Sequence, residues 1–285
     1  MASYRSYETL LLDQTGAVLK VTVNRPEVLN AQSRTMREEL DEALATAAED
    51  DDVRVIIIAG AGRHFSAGHD LGSPQELEDQ QRRPYQPGFR GRYQRAWDLN
   101  VANTLRWRDL PKPTIAQVHG YCIMGGFILA SACDLIVASE DAMFCDRTVR
   151  WGGPHVQYFS MPWEIGFRKA KEYLFTGDWI TAREAERLGL VNRVVARERL
   201  EEETMALAQR IALNDPQALR MAKVSVNQAQ DEAGYRTGIY AGFQAYIASL
   251  ANRRDAEGET QGLSGTERAR RRDARFEDNP SRQRT

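Results

Sequence analysis

The sequence lacks the features that mark several large classes of protein. No apolar run is long enough to span a bilayer, because the strongest candidate, residues 53–61, is broken by charge and glycine. Residues 1–8 hold no apolar signal core, so we expect a cytoplasmic protein rather than a secreted one. The net charge is only −2, so we expect neither nucleic acid nor a membrane surface as a partner.

Motifs for several common chemistries are also missing. The three cysteines stand in apolar contexts without paired spacing, which predicts reduced core residues (Cys122, Cys133 and Cys145). The four histidines show no metal-binding spacing. There is no serine-hydrolase elbow and no Walker loop, and a dinucleotide fingerprint fails because Phe65 stands where its last glycine should be. We therefore expect no metal and no resident cofactor.

The elements that are present alternate in the manner of an α/β protein. Two β-rich runs within residues 10–23 predict a hairpin, residues 33–49 predict a helix with one apolar face, and residues 53–59 predict a buried strand. Residues 74–98 are polar and rich in arginine, proline and glycine. They predict a mobile loop running into a helix, either as a cover over a ligand site or as a plain surface insertion.

The chain divides into three parts on this pattern. Residues 1–200 are expected to form the core, and residues 201–252 a C-terminal region of helices. Residues 253–285 are charged and rich in arginine, which predicts a solvated or disordered tail, with a basic patch as the alternative.

Two glycine-containing loops are the features most suggestive of chemistry. The first, residues 60–71, follows one predicted strand; the second, residues 119–126, follows another and opens a helix of small residues. Each can present one backbone N–H to a shared cleft, that of His69 and that of Gly125. Two such donors on one oxygen form an oxyanion hole, suited to a thioester carbonyl that becomes an enolate. The alternative is that the glycines serve only close packing.

Several motifs, in order and in register over roughly residues 8–225, resemble the crotonase family, also called enoyl-CoA hydratase/isomerase. Their agreement is far more specific than any one motif. The motifs are Asn24-Arg25-Pro26 with Leu29-Asn30-Ala31, Phe65-Ser66-Ala67-Gly68-His69-Asp70-Leu71, the stretch from Lys112-Pro113 through Gly120 and Gly125-Gly126 to Cys133-Asp134, and Phe175-Thr176-Gly177-Asp178 with Ala182, Ala185, Gly189-Leu190-Val191 and Val194-Val195.

The resemblance implies a spiral of ββα units, acyl-CoA thioester substrates, and C-terminal helices that pack the chain into homotrimers or hexamers. Coenzyme A is then part of the substrate rather than a cofactor. It also implies that His69 and Gly125 supply the oxyanion amides and that Arg25 lies close to the CoA phosphates. The contacts to adenine and pantetheine would fall near three residues of the first loop, namely Ala67, Asp70 and Leu71.

Two departures from the family pattern concern its acid/base residues. Hydratases of the family carry one glutamate three residues after the oxyanion glycine, where this sequence has Ile128. The second glutamate position maps to Thr148. Water addition needs a positioned acid/base pair, and isoleucine cannot carry a proton. We therefore do not expect simple hydration.

Three residues are candidates to replace the missing glutamates. His69 matches a histidine of the methylmalonyl-CoA decarboxylase branch, and that branch has a tyrosine where this chain has His155; Asp146 is the third candidate. Each also has a structural alternative. His69 would contribute only its backbone, His155 would bond nearby backbone, and Asp146 would form a salt bridge with Arg147 or Arg150.

The sequence gives fewer signals for the residues that line the acyl pocket. Trp151, with Phe159 and Trp163, either lines it or forms core or subunit contacts. Three functions remain open at this point: an enolate-stabilising enzyme such as a decarboxylase, isomerase or C–C lyase; a catalytically silent acyl-CoA binder; and a weak hydratase that uses Asp146 or His155.

Overall fold

The computed structural model describes residues 4–255 together with residues 267, 268, 270, 271, 273 and 274, and for residues 251–255 it describes the backbone alone. None of the helices in these residues is long and apolar enough to cross a membrane. The predicted charged tail, residues 253–285, lies outside the described residues apart from its first three and the six later positions.

Two β-sheets lie at the centre of the described residues. Their strands are β1 (Leu10–Thr15), β2 (Val18–Val23), β3 (Val55–Gly60), β4 (Thr114–Val118), β5 (Tyr121–Ile123), β6 (Leu135–Ser139), β7 (Met143–Cys145), β8 (Ile180–Thr181) and β9 (Arg193–Val195). The larger sheet has the order β1-β2-β3-β4-β6-β9 and the smaller one β5-β7-β8. The chain alternates between them, since β4 and β6 each lead into a strand of the smaller sheet. The predicted α/β fold is confirmed.

The predicted hairpin is confirmed as well. β1 and β2 pair antiparallel with Leu10 opposite Val23, around a turn in which Gly16 has φ 59°. The remaining pairings of the larger sheet are parallel. β3 is buried over its first five residues, as its unbroken β-branched run predicts for a strand covered on both faces.

Helices cover both faces of the larger sheet. They are α1 (Arg34–Glu49), α2 (Pro74–Arg82), α3 (Gly88–Trp97), α4 (Asn103–Arg108), α5 (Gly125–Ser131), α6 (Met161–Ile165), α7 (Phe167–Thr176), α8 (Ala182–Leu188), α9 (Leu200–Ala212), α10 (Pro216–Glu232) and α11 (Tyr235–Asp255). The start of α1 agrees with the prediction because the Ser33 hydroxyl accepts a hydrogen bond from the Met36 amide, 3.2 Å away. The apolar face of this helix packs into the main core.

The prediction of a mobile loop at the start of residues 74–98 is wrong, because residues 74–82 form α2, whereas the helix that was predicted to follow is present as α3. Ser73 caps α2 and Pro74 occupies its first turn, a favourable pair of start signals. Two buried carboxylates on α2 then bond to Arg34: the Arg34 amide donates to Glu76 Oε2 over 2.9 Å, and Arg34 Nε donates to Asp79 Oδ2 over 2.7 Å. The polar composition therefore reflects ion pairs with α1 rather than a loop.

The C-terminal helices belong to two layers. α9 packs on the sheet beneath Val55, Ile57 and Ile115. α11 instead packs through Ile239 and Phe243 on a second apolar cluster, away from the sheet centre. Between them, α10 has no buried residue.

Candidate active site

The two glycine loops lie side by side at one edge of the larger sheet. They follow β3 and β4, which are parallel neighbours, so both loops leave the sheet at the same end. Ser66 joins them directly. Its amide donates to Tyr121 O over 2.9 Å, and its carbonyl accepts from the Ile123 amide over 3.0 Å.

The His69 amide points from the first loop toward the second. The flanking residues bond to Gln32, whose amide donates to Gly68 O over 2.7 Å and whose carbonyl accepts from the Asp70 amide over 3.1 Å. In this parallel pairing the residue between the two bonds turns its own N–H to the opposite side. That side faces Gly125.

The Gly125 amide lies next to the His69 amide. Gly125 is the first residue of α5, so its N–H has no acceptor within the helix. A Cβ added at Gly125 would lie 2.9 Å from His69 N, and one added at Gly68 would lie 3.3 Å from Gly125 N. Neither amide donates to another group within residues 4–255. Met124, just before the pair, has φ 48°, a strained value for a non-glycine residue.

Gln32 connects the two loops, and sequence reasoning missed it. Besides its backbone bonds to the first loop, its side-chain Nε2 donates to Gly125 O over 2.9 Å. Its Oε1 accepts from Arg37 Nη1. A single buried residue therefore holds the first loop by its main chain and the second by its side chain. The one sequence signal that could have pointed to Gln32 is its place directly after the Leu29-Asn30-Ala31 motif.

A cavity of about 280 Å³ adjoins His69. α3 and α11 contribute to its wall, so the segment that was mistaken for a loop does cover this space. The residues that line it include Arg37, His69, Glu76, Arg92, Arg95 and Gln157.

The His69 ring has a defined tautomer. Gln157 Oε1 lies 3.0 Å from His69 Nε2 and can only accept, so the ring donates from Nε2, while Gln157 Nε2 donates to Tyr246 Oη over 3.0 Å. Nδ1 is then the unprotonated nitrogen. Burial, followed by the charges of Arg37 and Arg95, lowers the pKa of His69 to about 4, although the bond to Gln157 opposes this. The imidazole is therefore neutral at pH 7.

Residues 13–279 of the chain match the family described as enoyl-CoA hydratase/isomerase. The chain belongs to the enoyl-CoA hydratase/isomerase family. It is 42% identical over 261 residues to the putative enoyl-CoA hydratase EchA13 of Mycobacterium tuberculosis, covering 87% of this chain and 81% of the relative. The motif-based prediction of the family is confirmed.

Solved structures give the same relationship. A probable enoyl-CoA hydratase from Mycobacterium smegmatis superposes with a TM-score of 0.81 at 43% identity, over 88% of this chain and 98% of that one. An enoyl-CoA hydratase/isomerase from Xanthobacter autotrophicus Py2 superposes with a TM-score of 0.80 at 31% identity, over 95% and 99% of the two chains. The local likeness to methylmalonyl-CoA decarboxylase stays a prediction.

In this hydratase/isomerase-family chain Arg25 forms a buried ion pair. Arg25 Nη1 lies 2.8 Å from Asp70 Oδ2, both side chains are less than 5% exposed, and Arg25 Nη2 donates to Ser73 Oγ over 3.0 Å. Burial alone would raise the pKa of Asp70, but hydrogen bonds from Ser73, Gly72 and Arg25 lower it below its ordinary value. The pair connects the first loop to the segment that follows β2, and the predicted contact of Arg25 with CoA stays a prediction.

The other predicted substrate contacts are more accessible. Leu71 is 43% exposed and lines the cavity, whereas Ala67 is partly exposed and does not line it. Trp151 is partly exposed and does not line this cavity. Phe159 and Trp163 pack against the glycines of α11, which is the core-contact alternative.

Two of the predicted acid/base residues of this family member, His155 and Asp146, lie close together and apart from His69. His155 is buried, stacks on Phe159 with ring centroids 4.0 Å apart, and donates from Nδ1 to Val156 O over 2.8 Å. Burial lowers its pKa. Asp146 accepts from the amides of Thr148 and Val156 over 2.9 and 2.8 Å. Neither His155 nor Asp146 lines the cavity beside His69.

The positions of the expected glutamates are filled by residues without an ionisable group. Ile128 is 0% exposed within the apolar cluster beneath α11, and Thr148 donates from Oγ1 to Asp146 Oδ1 over 2.5 Å. Among the described residues no group of three or more His, Cys, Asp or Glu could hold a metal ion. The predicted absence of a metal stays a prediction.

Proposed function

We propose that this chain is an enzyme that holds the thioester oxygen of an acyl-CoA between the amides of His69 and Gly125 and stabilises the enolate formed from it. One observation carries the proposal: the two amides adjoin each other, without internal acceptors in residues 4–255, beside a cavity that His69 lines. Donors fixed before the reaction stabilise developing charge without reorganisation. The relatives named as enoyl-CoA hydratases support a CoA thioester as substrate. No cofactor is required, since CoA is part of that substrate.

The His69 imidazole is the proposed proton carrier. Formation of the enolate by removal of an α proton needs a base close to the thioester, and an enolate formed by loss of CO₂ has to be protonated there. Nδ1 of His69 is unprotonated at neutral pH and lies within 2.8 Å of the space that a Gly125 side chain would fill. His155 and Asp146 remain the alternatives, although both side chains already bond backbone groups away from the cavity.

The proposed reaction is a lyase or isomerase step rather than simple hydration. Ile128 and Thr148 occupy the positions where hydratases of the family carry glutamates. Decarboxylation, isomerisation and C–C cleavage all pass through an enolate and need only one proton carrier. A silent acyl-CoA binder is the second candidate, favoured by the burial of Ile128 in an apolar cluster.

A homotrimer or hexamer is proposed for the assembly. α10 buries none of its residues, and it exposes Met221, Val224 and Val226 to 52%, 47% and 62%. A neighbouring subunit would remove this apolar surface from water. Native mass spectrometry distinguishes trimer and hexamer from monomer.

The decisive experiment measures enolate formation itself. Purified protein is incubated with butyryl-CoA in D₂O, and deuterium at the α carbon is followed by mass spectrometry. Crotonyl-CoA, longer enoyl-CoAs and methylmalonyl-CoA are screened for products in parallel. We expect exchange that is lost in His69→Ala and retained in His155→Ala and Asp146→Asn.

Other results would overturn parts of the proposal. Binding of every acyl-CoA without exchange or product identifies the silent binder. Exchange that is lost in His155→Ala instead moves the proton carrier to that residue. Rapid hydration of crotonyl-CoA would show that Ile128 and Thr148 do not prevent water addition.

A further inference from the structure

The cavity beside His69 contains a buried cation without a counter-ion. Arg37 is 2% exposed, and its Nη2 donates to Asn103 Oδ1 and Thr104 Oγ1, each over 3.1 Å. With the bond to Gln32, all three acceptors are neutral. No carboxylate of the described residues comes within 4.0 Å of this guanidinium, and its Nε has no partner there. A buried charge in this state is costly.

Neighbouring charges do not remove this imbalance. Asp70 is already paired with Arg25, and Arg34 is paired with Asp79 over 2.7 Å. The Trp107 ring, centred 4.7 Å from the Arg37 guanidinium carbon, offsets part of the cost. Burial lowers the pKa of Arg37, and the charge of Asp41 opposes this shift only in part, since Asp41 is itself paired with Arg106. The positive charge at the cavity wall is therefore not neutralised by a contact ion pair.

α3 adds two more arginines to the same wall. Arg92 and Arg95 are three residues apart and so share one face of the helix, which lines the cavity. Arg92 forms no ion pair within the described residues, whereas Arg95 lies 3.7 Å from Glu76 and over the Tyr85 ring at 4.1 Å. Arg90 lies on the opposite face of α3 and is exposed.

We propose that the acyl group of the substrate carries a carboxylate, which the guanidinium groups of Arg37, Arg92 and Arg95 bind. The proposal rests on the proposed function, because it places the thioester at His69 in the same cavity. The volume of about 280 Å³ suits a short acyl chain rather than the nucleotide of CoA. The shared chemistry is recognition of an anion by arginine, so the phosphates of CoA are the competing source.

The test compares acyl-CoAs that differ only in the terminal carboxylate. Dissociation constants are measured by calorimetry for succinyl-, glutaryl- and adipyl-CoA and for the monocarboxylic acyl-CoAs of the same carbon number. We expect at least one dicarboxylic acyl-CoA to bind at least ten times more tightly than the monocarboxylic acyl-CoA of the same carbon number. That ratio should fall toward one in Arg92→Gln and Arg95→Gln and persist in the matched control Arg90→Gln.

The other possible results distinguish a failure of the carboxylate proposal from a failure of the proposed function. Equal or weaker binding of all three dicarboxylic members, with the monocarboxylic ones still bound, overturns the carboxylate and leaves the proposed function intact. A loss in Arg92→Gln that is the same for both classes and for free CoA assigns the arginines to the CoA phosphates. Failure of every acyl-CoA to bind contradicts the proposed function itself.

Discussion

Replacing Gly125 by alanine would insert a methyl group between the two proposed oxyanion donors. The new Cβ would lie 2.9 Å from His69 N, and 2.8 and 2.9 Å from the ring atoms Nδ1 and Cε1. The ring can rotate away, but the amide cannot, because Gln32 bonds the main chain on both sides of it. The methyl group therefore occupies the space where the thioester oxygen is expected.

The expected loss of rate follows from the two amide donors that the methyl group would block. Removal of one oxyanion donor costs a factor of about 10² to 10³ in rate, or roughly 3–4 kcal/mol of transition-state stabilisation. We expect Gly125→Ala to slow α-deuterium exchange at least 100-fold. Its overpacking should also lower the free energy of unfolding by about 1–3 kcal/mol. Exchange and urea unfolding are measured on the same preparation.

Gly16→Ala is the control for the stability effect. Gly16 lies at the hairpin turn with φ 59° and nothing within 4 Å of the added Cβ, so its cost is backbone strain of about 1–2 kcal/mol. We expect this variant to lose stability and keep its exchange rate. If folded Gly125→Ala exchanges within threefold of the parent protein, the two-amide site is wrong.

Three further predictions concern the residues that hold the site. Gln32→Ala removes the 2.9 Å bond to Gly125 O, so exchange should slow about tenfold with little change in acyl-CoA affinity, measured by exchange and calorimetry together. Asp70→Asn leaves Arg25 buried without a charge partner, so the free energy of unfolding in urea should fall by about 3–5 kcal/mol. His119 holds the second loop to the first, because its Nε2 donates to Gly62 O over 3.1 Å. Burial lowers the pKa of His119 from 6.5 to about 4, so its neutral form stabilises the fold above pH 6.5 and that stability is lost as pH falls toward 4. Between pH 7.5 and pH 5 this share amounts to about 2 kcal/mol, and His119→Gln should remove it from the unfolding curve while the share of His69 stays.

Each of these has an outcome that contradicts it. An unchanged exchange rate in Gln32→Ala means that the two loops hold their positions without the amide side chain. Parent-like stability of Asp70→Asn means that Arg25 finds another partner. A pH dependence that is the same with and without His119 assigns the acid sensitivity to other groups.

Local signals in the sequence were sufficient for much of the fold. The β-branched run of β3, the Ser33 cap and the Gly16 turn each act over a few residues, and the predicted strand, helix and hairpin are there. The ordered motifs identified the family by resemblance, and the match over residues 13–279 confirms it. Residues 74–98 were misjudged because Glu76 and Asp79 find their partner some forty residues earlier, in Arg34.

The sequence by itself determined the chemistry of the main chain: glycines that allow close approach, and amides at the ends of two parallel strands. Only the tertiary structure decided which side chains surround those amides. Gln32 reaches Gly125 across 93 positions, and Gln157 reaches His69 across 88. The same packing engages His155 and Asp146 in bonds away from the cavity and leaves Arg37 without a contact ion pair. Such partners depend on how distant segments pack, and no local pattern in the chain records that.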